Sequence, residues 1–163
     1  MYQWVVYLHV ASAFVFLLAH GVSASMVFWL RRESTPERIR PVLDFSASAT
    51  TITGNASMLL ILVTGIIAGI MQSWFSTGWI WTAIGLLILI SMGMFFAGTV
   101  HYSKVRKAVG LPYMDKGKPQ PAVAPASQAE IVALVRGRSP IIVAVMGAVG
   151  LTVILWLMMF KPF

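Results

Sequence analysis

The sequence predicts an all-α integral membrane protein: a bundle of four transmembrane helices, both termini outside, with short amphipathic helices on the cytoplasmic face. Three observations predict it. The chain is 58% hydrophobic and only 10% charged, with mean hydropathy +0.83, outside the range of soluble domains. Four apolar runs, at about 4–30, 54–73, 78–101 and 140–160, are each long enough to cross a hydrocarbon layer of roughly 30 Å. Eleven of the twelve Lys and Arg residues fall in the loops 31–53 and 102–139, with Lys161 the exception. The positive-inside rule puts both loops in the cytoplasm. The net charge of +7 therefore reads as a topology signal. The expected partner is the lipid bilayer, and no nucleic acid is expected. With 163 residues, one domain is the default.

The first run lacks a positive n-region and exceeds the length of a signal-peptide core, so it is expected to stay in the membrane. It carries His9 and His20 among otherwise uncharged residues. Eleven residues at about 100° each make about three turns, so both imidazoles share one helix face, roughly 16 Å apart in height. Tyr2, Val5, Ser12, Ala13, Phe16, Ser23 and Val27 lie on that face. A face smaller and more polar than its opposite is expected to meet protein or cofactor.

In the first loop, Ser34-x-x-Glu37 matches a capping box, with Pro36 suited to the first turn. The apolar positions Ile39, Val42, Leu43 and Phe45 then predict a short interfacial helix or an extension of the second span. The run FSASATTITGNAS places Ser46, Thr50, Thr53 and Ser57 on one helical stripe. Hydroxyls on such a stripe bond to carbonyls one turn back, or else line a polar path. Asn55 is expected to face protein. Gly65 and Gly69, Gly93 and Ala97, and Ala144 and Ala148 repeat a small-xxx-small spacing that favours close helix packing. Residues 73–78 make a tight uncharged turn, and Trp4, Trp74, Trp79, Trp81 and Trp156 are expected to gather at the outer interface. In the second loop, GKPQPAVAPAS reads as an extended Pro/Ala linker. Ser127-x-x-Glu130 is a second capping box, opening an amphipathic helix with Ile131, Leu134 and Val135.

The chain has no cysteine, which removes disulfides, thiolate metal sites and cysteine nucleophiles. All five carboxylates, Glu33, Glu37, Asp44, Asp115 and Glu130, lie in the basic loops, so neither hydrolysis nor carboxylate-based proton transport is expected. The ionisable residues at or near membrane depth are His9, His20 and His101. One reading is structural, with each imidazole hydrogen-bonded between helices or wetted at an interface. The other is b-type haem, because neutral imidazole is a common axial ligand and helix bundles hold cofactors between facing helices. Met92 and Met94 lie near the depth of His20 and are candidates for a second axial ligand. Copper is a further alternative, because ten methionines and three histidines suit Cu(I).

The opening YQWVVYLHVASAFVFLLAHG, with Leu8-His9 and the basic stop Arg31-Arg32, resembles a loose group of small bacterial membrane proteins. The group includes an uncharacterised four-span "predicted integral membrane protein" family, the copper-resistance D-type membrane domain, and the four-helix protoporphyrinogen oxidase family. The resemblance implies a bacterial cytoplasmic (inner) membrane. The oxidase family further implies haem, with a histidine late in span three followed by a lysine, where His101-Tyr102-Ser103-Lys104 stands here. This chain has Phe16 where that family usually has tryptophan, and it lacks a Pro-Arg-Leu-Phe run after span one. The resemblance therefore implies the wider group and not oxidase activity.

Two functions stand as expectations. One is a haem-binding redox or electron-transfer subunit using His9, His20 and His101. The other is a non-catalytic scaffold or accessory subunit, packing as a homo-oligomer or within a larger membrane complex.

Overall fold

The computed structural model describes residues 1–163, the side chains of Ala49, Thr50 and Thr51 excepted. The chain is mostly helical. Helix α1 spans Tyr2–Leu30, α2 Pro36–Ala49, α3 Asn55–Met71 and α4 Gly78–Ala108. A two-stranded ribbon, β1 Tyr113–Asp115 and β2 Lys118–Gln120, precedes α5 Gln128–Val135 and α6 Ser139–Phe160. Four helical segments are long and apolar enough to cross a membrane: 2–30, 36–71, 78–108 and 128–160. Their apolar parts are the four runs expected from the sequence.

At membrane depth the helices pack as two pairs, α1 with α3 and α4 with α6, and α1 also touches α6. The glycines at these contacts take side chains, where the small-xxx-small spacing implies direct backbone approach. Gly93 faces the Met146 thioether, Gly147 faces that of Met94, and Gly69 faces Phe75 and Ile80. A Cβ on Gly150 would overlap Ile90. Long, flexible Met and Ile side chains thus fill sockets that only glycine leaves open.

Loop 31–53 is largely helical. Helix α2 starts at Pro36, and the Thr35 carbonyl accepts from Ile39 N–H at 3.2 Å, one residue later than a Ser34 cap implies. It then continues into α3 through a π-helical turn, Thr50–Gly54, so it is an extension of the second span. The wider turn rotates α3 relative to a continuous α-helix. Ser46 and Ser57 are buried, whereas Thr53 and Asn55 are exposed, against the expectation that Asn55 faces protein. The Ser57 hydroxyl donates to the Thr53 carbonyl at 2.6 Å, the bonding one turn back that such hydroxyls favour. Thr50, the remaining member of the stripe, lies outside the described side chains.

The basic end holds a core of its own. Leu30, Ile39, Leu43, Val105, Val109, Ile131 and Val135 are buried together. Helix α4 ends there in a Schellman motif: Gly110 N–H donates to the Lys107 carbonyl and Leu111 N–H to that of Arg106, at 3.1 and 2.9 Å. Gly110 takes φ +76° at the position where a left-handed residue is required. Helix α2 clamps this end, because Arg40 Nε donates to the Val109 carbonyl at 2.7 Å and Asp44 pairs with Arg106 at 2.8 Å. An extended linker is expected from Gly117, but Lys116 and Gly117, at φ +46° and +77°, form a tight turn with antiparallel pairing of Tyr113 to Gln120. The Ser127 cap is present, accepting from Glu130 N–H at 3.4 Å.

At the other end Trp79 is buried with Ile80, Ala83 and Leu157. Trp74 lies edge-on to Trp79 and Tyr2, and Lys161 Nζ stands 4.3 Å over the Trp74 ring. Trp79 N–H donates to the Phe163 carbonyl at 3.0 Å, which ties the segment after α6 to the start of α4.

Candidate functional site

His9 lies on the inner face of α1, opposite the middle of α3. Its Nδ1 is 3.0 Å from the Ile61 carbonyl oxygen and 3.1 Å from Thr64 Oγ1. A carbonyl only accepts, so the proton sits on Nδ1 and is shared between the two oxygens. Thr64 is free to accept because its own hydroxyl donates to the Leu60 carbonyl at 2.5 Å. A Cβ on Gly65 would stand 3.0 Å from His9 Cε1, so the missing side chain is what admits the ring. Among the described residues Nε2 makes no hydrogen bond, which leaves its lone pair available. A histidine oriented by a hydrogen bond from one nitrogen, with the other nitrogen open, is the arrangement of a metal-ligating imidazole.

His20 differs. Its ring stacks on Phe16, centroids 5.2 Å apart and planes 27° apart, and it makes no hydrogen bond among the described residues. Helix α1 runs antiparallel to the α2–α3 helix. Eleven residues from His9 along α1 therefore bring the facing level from Ile61–Gly65 back to about the π-helical turn, which α1 contacts. His9 and His20 share a face, as their spacing requires, and are too far apart in height to serve one iron.

His101 stands apart from both, at the basic end. It lines a cavity of about 10 Å³ with Val27, Leu30 and Pro140, and its Cε1 is 3.7 Å from where a Cβ on Gly137 would lie. The Arg31 guanidinium donates to the Gly137 carbonyl beside it, joining the end of α1 to the elbow between α5 and α6. That volume is no larger than one water molecule and is too small for a cofactor.

Neither candidate methionine is placed at a histidine. Met94 fills the Gly147 socket between α4 and α6, and Met92 is 53% exposed on the outer side of α4. Among the described residues, no group of three or more His, Asp or Glu stands together as a metal site. Among the candidate ligands, His9 thus offers the one nitrogen that hydrogen bonds to described residues orient. The residues that orient it, Ile61, Thr64 and Gly65, carry no sequence mark of that role. Gly65 stands out in the sequence only for its helix-packing spacing, and a threonine in an apolar helix is the other signal available.

No family model matches the chain, and no curated protein or solved structure is significantly similar to it.

Proposed function

We propose that the protein is a bacterial inner-membrane subunit, with both termini outside, that binds b-type haem through His9 and takes part in electron transfer. The observation that carries this reading is the pair of acceptors on His9 Nδ1, Ile61 O at 3.0 Å and Thr64 Oγ1 at 3.1 Å, with Nε2 left unpaired. A merely structural histidine needs one partner. This one has its tautomer and ring plane fixed and its second nitrogen open. Haem held there supplies one-electron transfer. His9 Nε2 would hold the iron, while Ile61 and Thr64 fix the imidazole and Gly65 makes room for it. Within this chain neither His20 nor Met94 is positioned to complete the ligation, so a second copy or a partner subunit provides the other ligand.

The test is the visible spectrum of detergent-purified protein from haem-replete cells, oxidised and dithionite-reduced. The expected result is a Soret band with sharp reduced α and β bands, lost in His9→Ala and retained in His101→Ala. A flat wild-type spectrum would overturn it. The scaffold reading is favoured by one observation, the α4–α6 pair, in which Met94, Met146 and Ile90 fill glycine sockets. It expects a colourless protein with an oligomer indifferent to His9→Ala.

A further inference from the structure

A groove of about 250 Å³ opens at the basic end, lined by Lys104, Lys107, Val123, Ala126, Glu130 and Leu134. Three elements build it: the last turns of α4, the strap 121–127, and α5. The strap is held in place. Ala126 N–H donates to the Ala108 carbonyl at 2.9 Å, and at Gly110 a Cβ would meet Val123 O at 3.2 Å and Pro125 Cγ at 3.1 Å. Among the described residues neither lysine nor Glu130 has an ion-pair partner, and Lys107 Nζ lies 5.4 Å from the Tyr113 ring centroid.

Depth and periodicity say what fits. From Trp79 in the aromatic cluster, about 20 residues of α4 cross a core of roughly 30 Å, so the hydrocarbon ends near residue 99. Lys104 and Lys107 then stand about 8 and 12 Å further on, within reach of the headgroup layer. Leu89, Met92, Phe96 and Val100 precede them at helical spacing, exposed by 68%, 53%, 61% and 52%. One face of α4 is therefore an apolar stripe at acyl-chain depth that ends in two lysines at phosphate depth.

We propose that this groove binds one anionic glycerophospholipid whose headgroup carries hydroxyls. Lys104 and Lys107 take the phosphodiester, Glu130 accepts from a headgroup hydroxyl, and an acyl chain lies along Leu89, Met92, Phe96 and Val100. The proposal is independent of the histidine chemistry.

The experiment is native mass spectrometry of the full chain in mild detergent, titrated with phosphatidylglycerol, phosphatidylcholine and phosphatidic acid, and with inorganic phosphate as competitor. One phosphatidylglycerol is expected to bind ahead of phosphatidylcholine. Each lysine contributes about fivefold, so Lys104→Ala/Lys107→Ala should weaken it roughly 25-fold. Arg136→Ala/Arg138→Ala removes two charges from the same end outside the groove and should change it by less than the lysine pair. Glu130→Gln should lower the preference for phosphatidylglycerol over phosphatidic acid. Circular dichroism of each variant confirms folding. Equal binding of phosphatidylglycerol and phosphatidylcholine would overturn the proposal. So would equal losses from the lysine and arginine pairs, or displacement of the lipid by inorganic phosphate alone.

Discussion

His9 Nδ1 stands 3.0 Å from the carbonyl oxygen of Ile61, a bond that crosses from the first membrane helix to the second. Because a backbone carbonyl cannot donate, this one contact fixes the tautomer. It also explains why Gly65 comes after Thr64: any Cβ there would press on the imidazole.

Thr64→Val removes one of the two acceptors and leaves the Ile61 carbonyl in place. Haem should still bind with the wild-type spectrum, but about 10- to 100-fold more weakly, the usual cost of losing an orienting partner. Haem titration of the apo-protein measures this. An unchanged affinity would mean that Thr64 does not support the ligand.

Gly150→Ala sets a methyl group into the volume that Ile90 occupies. The expected cost is about 1–3 kcal/mol, typical of overpacking, read as a lower unfolding midpoint in detergent. Ile90→Val on the same background should restore part of it. Additive losses in the double mutant would show that the two residues do not share a socket.

Ile131 and Asp44 provide a contrast at the basic end. Ile131 is 1% exposed and anchors α5 on the end of α4, so Ile131→Ala should cost about 2–5 kcal/mol. Asp44 pairs with Arg106 at 2.8 Å, but its side chain is 55% exposed. Asp44→Asn should therefore change stability by less than about 1 kcal/mol. Denaturation of both variants under one condition gives the ranking, and a reversal would mean that the ion pair and not the buried core holds this end.

The absence of cysteine makes topology directly testable. Ser76→Cys, at the exposed turn between α3 and α4, should react with a membrane-impermeant maleimide on intact spheroplasts. Lys118→Cys should react only after permeabilisation. The opposite pattern would reverse the assignment of the two faces.

Much of the fold was legible because the membrane imposes it. Apolar length and the placement of Arg31, Arg32, Lys104 and Lys107 are one-dimensional properties, and they mark out the four spans and the shared basic end. The Ser127 cap was legible for the same reason, since Glu130 is only three residues away. The π-helical turn was not, because a change of helical pitch depends on packing between helices distant in sequence. Asn55 faces outward because it lies about 200° around α3 from the buried Ser57. The hairpin at Lys116-Gly117 had a local signal in its glycine, which the Pro/Ala composition of the residues after it obscured.

The sequence by itself determined an apolar, multi-helix chain with histidines at 9 and 20 on a common face, because helical spacing fixes relative angle and height. Only the tertiary structure decided that the two are unequal. A hydrogen bond between residues 52 positions apart orients His9, while among the described residues His20 stacks on Phe16 of its own helix. Which imidazole gains such a partner depends on the register between α1 and α3, and that is set by packing across the helix pair.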